Sequence, residues 1–443
     1  MLLLAPQAAE LTRGPQPAII GVSLFYFVVV ALIAVWASRR TRTARDFFVA
    51  GDGIGIWTLA IAAMTATLSG FAFIGGPGLL YSLGLGAMFI VLPAGLSNSM
   101  GAWVLAKRMR MLGELRGLIT VPDAIGARYR SPAAQGLAAV AILIAIVGYM
   151  GTNLLALGIV IDAVFGSGLT LGVWLGTATV LAYSVSGGIL AGVYTDLFQG
   201  SIKALASVLV FAYVLRLGGG LEGLSNTILA SDPAFLSPWG KITPLAALSF
   251  FFVFGVGGLG QPHVISKFYM LRNPLHLKWY PALTTGALML TLLLYFGMGM
   301  AVKAEVARGG LAPLARPDDA TPQFLLHYTP VLLAGIVFAG VTAAIMGTVN
   351  AFMNVGAAAI THDIPVALGR RVKNELLWGR VSTVLITVVA AGVALLSGSL
   401  VAFLGILGWG LYASTLVPAL AIGLTHLRAQ ETARLGIPGA TQI

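Results

Sequence analysis

The sequence predicts an all-α polytopic membrane protein of about eleven transmembrane helices, and three observations predict it. Of 443 residues, 58% are hydrophobic and only 9% charged, where a soluble domain carries about a quarter charged. Apolar stretches of ~20 residues, the length that crosses a bilayer core, recur along the whole chain. The Lys and Arg residues fall in clusters on alternate loops between those stretches. So few charges leave no means of covering a water-facing surface, which makes the lipid bilayer the first partner.

The spans lie at about 17–36, 54–82, 85–106, 133–164, 167–186, 196–215, 243–266, 279–302, 328–361, 377–397 and 400–425. The second, fourth and ninth exceed one crossing, so a tilt, a break or an amphipathic extension is expected in each. No small-residue cleavage site precedes the arginines after the first span, so it reads as a retained helix rather than a signal peptide. With those arginines inside, the clusters at 39–45, 107–130, 267–278, 370–380 and 428–434 are all internal. They hold 19 of the 26 basic residues. The bias puts the N-terminus outside and the C-terminus in the cytoplasm. The net charge of +11 lies in these loops, so nucleic acid is not implied as a partner. Cysteine is absent, which excludes disulfides and thiolate chemistry.

Two spans are interrupted. The second carries Thr65-Ala-Thr-Leu-Ser-Gly70 and then Gly75-Gly-Pro-Gly78; the seventh carries Gly255-Val-Gly-Gly-Leu-Gly260 and then Gln261-Pro-His263. A helix broken in mid-membrane frees backbone groups that lipid cannot satisfy. Paired breaks in two halves of a chain point to the binding site of a secondary transporter. Eleven spans read as one leading helix plus two sets of five, and the breaks fall on the first helix of each set. An odd-numbered unit gives the halves opposite topology, an inverted repeat. The boundaries expected are a leading helix and first loop over 1–53, one repeat over 54–216 and an outer loop over 217–242. A second repeat over 243–427 and a cytoplasmic tail over 428–443 complete the chain.

Ionisable residues within the spans are few. Lys203 lies in the sixth; Asp162 and Asp196 lie near span ends, shallow enough to reach the interface. No carboxylate sits at mid-membrane, so a carboxylate proton relay is hard to build. Hydroxyls, amides, freed carbonyls and aromatics remain. A hard monovalent cation takes several oxygens, which unwound carbonyls and Ser/Thr hydroxyls supply. Thr65, Thr67 and Ser69 offer hydroxyls at the first break, and Thr342, Thr348 and Asn350 form a second cluster. A single membrane Thr more often bonds back to its own helix; the coincidence with a break sets Thr65–Ser69 apart. Phe71, Phe73 and Phe254 flank the breaks. Five scattered His without i, i+4 pairing argue against a metal site. No P-loop, nucleophile elbow or zinc-protease signature is present, so neither ATP-driven transport nor enzymatic hydrolysis is expected.

With these residues in hand the chain resembles the sodium:solute symporter family, most like its sodium/proline symporter branch. The match is carried in order by Asp46-Phe-Phe-Val-Ala-Gly51, Ser69-Gly70 with Gly76-Pro-Gly78, Thr120-Val-Pro-Asp123 with Arg128-Tyr129, and Ser186-Gly-Gly188. It continues through Tyr194-Thr-Asp-Leu-Phe-Gln199, Gly260-Gln-Pro-His-Val-Ile-Ser-Lys-Phe268, Ala343-Ala-Ile-Met-Gly-Thr348 and Ala357-Ala-Ala-Ile-Thr-His-Asp363. The resemblance implies a LeuT-like five-plus-five core and sodium-driven uptake of a small organic solute by alternating access, in a bacterial inner membrane. Na+ is the coupling ion. The resemblance implies sodium ligands from the carbonyls of Thr65, Leu68 and Ala344 and the hydroxyl of Thr348. The family's remaining hydroxyl position falls on Gly347. Asp196 matches an aspartate tied to sodium coupling or release. The solute is expected near Ser69, Gly70, Phe71, Phe254, Gly258 and Gln261. Two further departures are Gly258, where many members have an aromatic gate, which implies a roomier pocket, and Thr67, where the proline branch has Asp.

The function expected is symport of sodium with an amino acid such as proline, or with a monocarboxylate. The residues are also compatible with a solute sensor of the same fold, or with a proton-coupled or uncoupled transporter.

Overall fold

A computed structural model describes residues 16–39, 54–397 and 401–425. The Asp46–Gly51 motif, the arginines at 40–45 and the tail from 428 lie outside the described residues. The helices that matter here are α1 (Pro17–Ser38), α2 (Ile56–Thr67), α3 (Gly76–Leu83), α4 (Pro93–Gly101), α5 (Pro132–Phe165) and α6 (Leu169–Gly218). They continue as α7 (Pro244–Gly257), α8 (Pro262–Ile265), α9 (Tyr280–Ala307), α10 (Val331–Ala358), α11 (Glu375–Ser397) and α12 (Val401–Val417).

Local chemistry sets their ends. Pro cannot donate at the first helical turn, where no partner is needed, and it pre-sets φ for the helix. Pro93, Pro132 and Pro244 use that position. Ser131 and Thr243 cap α5 and α7 by accepting from the Ala134 and Ala246 N–H groups. Gly166 and Gly219 close α5 and α6 in the left-handed region, where only glycine is free of a Cβ clash.

Six described helical runs are long and apolar enough to cross a membrane. The bent pair Pro244–Gly260 and Pro262–Met270 makes a seventh, and four shorter apolar helices accompany them. Each of the eleven expected spans falls on one of these. One expectation changes. The fifth and sixth spans are one helical run of 50 residues in α6, about 75 Å if straight and roughly twice a bilayer crossing. No proline falls inside it to stop the helix.

The core sits where α6 meets α10. It is closed by α1, α2, α5 and α9, all of which pack on α6. Close approach is built from small residues: a Cβ on Gly340 of α10 would lie 2.9 Å from the Ala206 Cβ and 3.3 Å from the Lys203 Cα of α6. Small residues at such crossings let membrane helices touch backbone to backbone.

Candidate functional site

Both interruptions are real. α2 stops at Thr67, Leu68 is extended at φ −93° and ψ 102°, and the chain resumes through a π-turn, Phe71–Gly75, into α3. α7 passes through a 3-10 turn, Gly258–Gly260, to an extended Gln261 at φ −73° and ψ 100°. The two arms of that span meet at 43°.

The first break is held by side chains from three helices. The Gly70 N–H donates to Asn153 Oδ1 at 2.8 Å, and the Phe71 N–H donates to Ser69 Oγ at 3.2 Å. Ser69 Oγ in turn pairs with the Tyr149 hydroxyl at 3.0 Å. Gly70 is required: a Cβ there would lie 2.7 Å from the Ala156 Cβ and 2.9 Å from Ile345. On the α10 side the Thr348 hydroxyl reaches three carbonyl oxygens, Thr65 and Ala66 at 3.3 Å and Ala344 at 3.1 Å. A hydroxyl has one proton, so it donates fully to at most one of the three at a time. The Lys203 Nζ donates to the carbonyls of Met64 and Leu68, each at 3.3 Å.

Asp196 and Lys203 do not lie at the interface. Their exposures are 1% and 0%, because α6 runs on through the core and presents both to α2. Lys267, counted above with the inner-loop charges, is 1% exposed and pairs with Asp196 Oδ2 at 3.1 Å. The Asp196 main-chain carbonyl accepts from Thr65 Oγ1 at 3.2 Å. The Gln199 Nε2 donates to the Tyr26 hydroxyl at 2.9 Å. Asp196 Oδ1 and Gln199 Oε1 have no hydrogen-bond partner among the described residues. Both face Gly347. A Cβ on that residue would lie 2.5 Å from Thr65 Cγ2, 2.7 Å from Asp196 Oδ1 and 3.1 Å from Gln199 Oε1. The place of the missing hydroxyl is therefore already filled, and two unpartnered oxygens border it.

Beside this polar cluster is a narrow, partly open cavity, lined chiefly by Thr67, Leu68, Phe71, Tyr149, Phe254 and Trp409. Phe71 stacks on Phe254 with centroids 5.6 Å apart, and Phe254 meets Trp409 at 4.8 Å. Phe71 and Phe254 line it as expected, and Ser69 touches it through Tyr149. Gly70, Gly258 and Gln261 are not among its lining residues. Nor does Gly258 open space: a Cβ there would fall 1.5 Å from Ser97 Oγ and 3.7 Å from Trp409. Gln261 is 1% exposed, and neither its amide nitrogen nor its amide oxygen has a partner among the described residues.

Sequence reasoning missed Tyr149, Asn153, Gln199, Lys267 and Trp409. The first two had a readable signal, since two polar groups four residues apart share one face of an apolar helix. A further cluster escaped the i, i+4 test because it joins two elements. Asp123, His362 and Asp363 bring ligand-type atoms within 4.8 Å of one another. They are tied by His362–Asp123 contacts of 3.1 and 3.2 Å and by the Thr120 hydroxyl on Asp363.

Comparison with known proteins meets this geometry. The osmoregulated proline transporter OpuE of Bacillus subtilis is 28% identical over 371 residues, 82% of this chain and 75% of that protein. The sodium/pantothenate symporter of Escherichia coli is 26% identical over 373 residues, 83% and 76% of the two chains. Among solved structures, the substrate-bound outward-open state of a Na+-coupled sialic acid symporter superposes with a TM-score of 0.79. Its sequence identity is 17%, over 93% of this chain and 87% of that one. MhsT in complex with L-phenylalanine gives 0.59 at 12% identity, over 85% and 91%. The fold is LeuT-like. Matched by the family model from residue 47 to residue 433, the chain belongs to the sodium:solute symporter family, as a membrane carrier that couples Na+ to solute uptake and not as an enzyme.

Proposed function

We propose that sodium binds between α2 and α10, on the carbonyls of Thr65, Leu68 and Ala344 and the Thr348 hydroxyl, and that Gly347 contributes by leaving room for Asp196 and Gln199. The solute occupies the aromatic cavity next to it. One observation carries this reading: Leu68 belongs to both, lining the cavity while its carbonyl turns toward the polar cluster. A ligand shifts a conformational equilibrium only by binding one state better than another, and a shared residue lets sodium organise the wall of the solute site.

The solute is a small zwitterion or monocarboxylate with an apolar body, proline being the leading case. Supporting this are the aromatic lining, the absence of a charged group among the lining residues, and the proline transporters among the relatives. Asp196, held by Lys267, couples the ion site to the arm beyond the second break and acts in sodium release. The chain sits in a bacterial plasma membrane with its N-terminus outside and its C-terminus in the cytoplasm, which the distribution of Lys and Arg supports. Residues 54–216 and 243–427 form the two inverted repeats.

The test is uptake into proteoliposomes of labelled proline, other amino acids and monocarboxylates, with and without a sodium gradient. Accumulation of one of them driven by sodium is expected. In Thr348→Ala the sodium concentration giving half-maximal uptake should rise about tenfold, as for loss of one ligand worth roughly 1.4 kcal/mol. An unchanged sodium dependence would remove the site from Thr348.

A further inference from the structure

The mechanism above leaves a buried lysine beside the site unused. Lys203 is 0% exposed, and its Nζ sits against the carbonyls of Met64 and Leu68. Leu68 is one of the oxygens assigned to sodium. The face of the Phe73 ring lies 6.0 Å from the same nitrogen. The charged groups acting on Lys203 are Asp196, from its own helix, and Lys267 beyond it. The carboxylate of Asp196 is already engaged by Lys267 at 3.1 Å. α2 and α10 bring only carbonyls and hydroxyls to this point. The cluster thus sets two lysines against one carboxylate, already engaged by Lys267, before any ion enters.

A sodium ion on the Leu68 carbonyl and an ammonium on the same oxygen cannot coexist at low cost. Two like charges within about 4 Å repel strongly in a medium far less polarisable than water. The carbonyl also has a fixed number of lone pairs to share. Freed backbone oxygens at a helix break need a partner, and in this chain a long, flexible amine on α6 supplies one.

We propose that Lys203 is a tethered competitor for the sodium site: its ammonium takes the Leu68 carbonyl when sodium is absent, and sodium binds only as that ammonium withdraws. Resting on the site assignment above, the proposal adds a residue that sets sodium affinity without being a ligand. It also gives the unwound segment a partner in the ion-free state, which keeps the break from collapsing between cycles.

The experiment is equilibrium binding of radioactive sodium to the purified full-length carrier, for the wild type and for Lys203→Met, with Thr348→Ala made in both backgrounds. Removing the competitor should tighten sodium binding about tenfold or more, and Thr348→Ala should weaken it in both. Sodium binding in Lys203→Met that equals or falls below that of the wild type, while Thr348→Ala still weakens it, overturns the role of Lys203 and leaves the site standing. Indifference to Thr348→Ala in both backgrounds overturns the site, and the competitor with it. Where Lys203→Met does not fold, Lys203→Gln carries the same expectation, and its failure to tighten binding counts equally against the proposal.

Discussion

The two helix breaks share a topology and differ in how their polar groups are used. At the first, Asn153, Tyr149, Thr348 and Lys203 each hold an atom of the Met64–Phe71 segment, directly or through Ser69. At the second, Gln261 is buried with both ends of its amide unpartnered among the described residues, and so is Ser97 Oγ, against Gly258. Buried polar groups in folded proteins are nearly always paired, and each exception asks for a reason. A break whose backbone is held from three helices suits a site for a small ion, where the geometry must be fixed. The two oxygens without a partner among the described residues there, Asp196 Oδ1 and Gln199 Oε1, border Gly347 and not the unwound segment. A break that keeps buried donors and acceptors unspent suits the arm that rearranges.

The largest test of this contrast is at Gly347. Restoring the family's hydroxyl with Gly347→Ser should abolish sodium-dependent uptake. Its Cβ would meet the stiff Thr65 methyl at 2.5 Å and Asp196 Oδ1 at 2.7 Å. Overpacking of that kind costs about 1–3 kcal/mol in stability. Adding Thr65→Ser deletes the methyl and keeps the hydroxyl, so the double variant should regain part of the melting temperature lost in the single one. A double variant as unstable as Gly347→Ser would shift the blame to Asp196.

Next in size is a matched pair of amide deletions. Asn153→Leu leaves the buried Gly70 N–H without its acceptor, which costs about 1–3 kcal/mol, and should lower the melting temperature and impair sodium binding together. Gln261→Leu removes a buried amide with no partner, so stability should hold or rise while solute uptake falls. Equal destabilisation by both would erase the distinction between the breaks.

How far the sequence reaches follows the same division. The breaks were legible because Gly, Ser and Pro inside long apolar runs leave few helical solutions. The spans were legible from length and from Lys/Arg bias, both of which act locally along the chain. The environment of Asp196 and Lys203 was not legible. Asp196 stands near an expected span end and Lys203 within the sixth span, shallow enough to reach the interface, and only the uninterrupted course of α6 carries them into the core. Lys267 was misread for the related reason that a charge is assigned to a loop by its position in the sequence, whereas its burial depends on Asp196, 71 residues away. Gly258 was read as empty space because sequence shows the absent side chain and not Ser97, which fills its place.

The smallest expected effect sharpens the comparison from the other side. A Cβ on Gly258 would lie 1.5 Å from Ser97 Oγ, closer than any atom would be to one on Gly347. Distance alone ranks Gly258→Ala as the worse substitution. The nature of the obstacle reverses the ranking. Ser97 Oγ is the end of a short side chain with other staggered positions and has no hydrogen-bond partner among the described residues, which leaves the Ser97 Cβ, 2.8 Å away, as the part that must shift. Thr65 is β-branched and stiff, and its hydroxyl is committed to the Asp196 carbonyl. Gly258→Ala should therefore cost about 1 kcal/mol, the low end of overpacking, and leave sodium affinity unchanged. Ser97→Ala combined with it should recover the part of that cost due to Oγ, the contact with the residue-97 Cβ remaining. A melting temperature as low as that of Gly347→Ser would show that the second break is packed as rigidly as the first, and the contrast drawn from its unpartnered groups would fail.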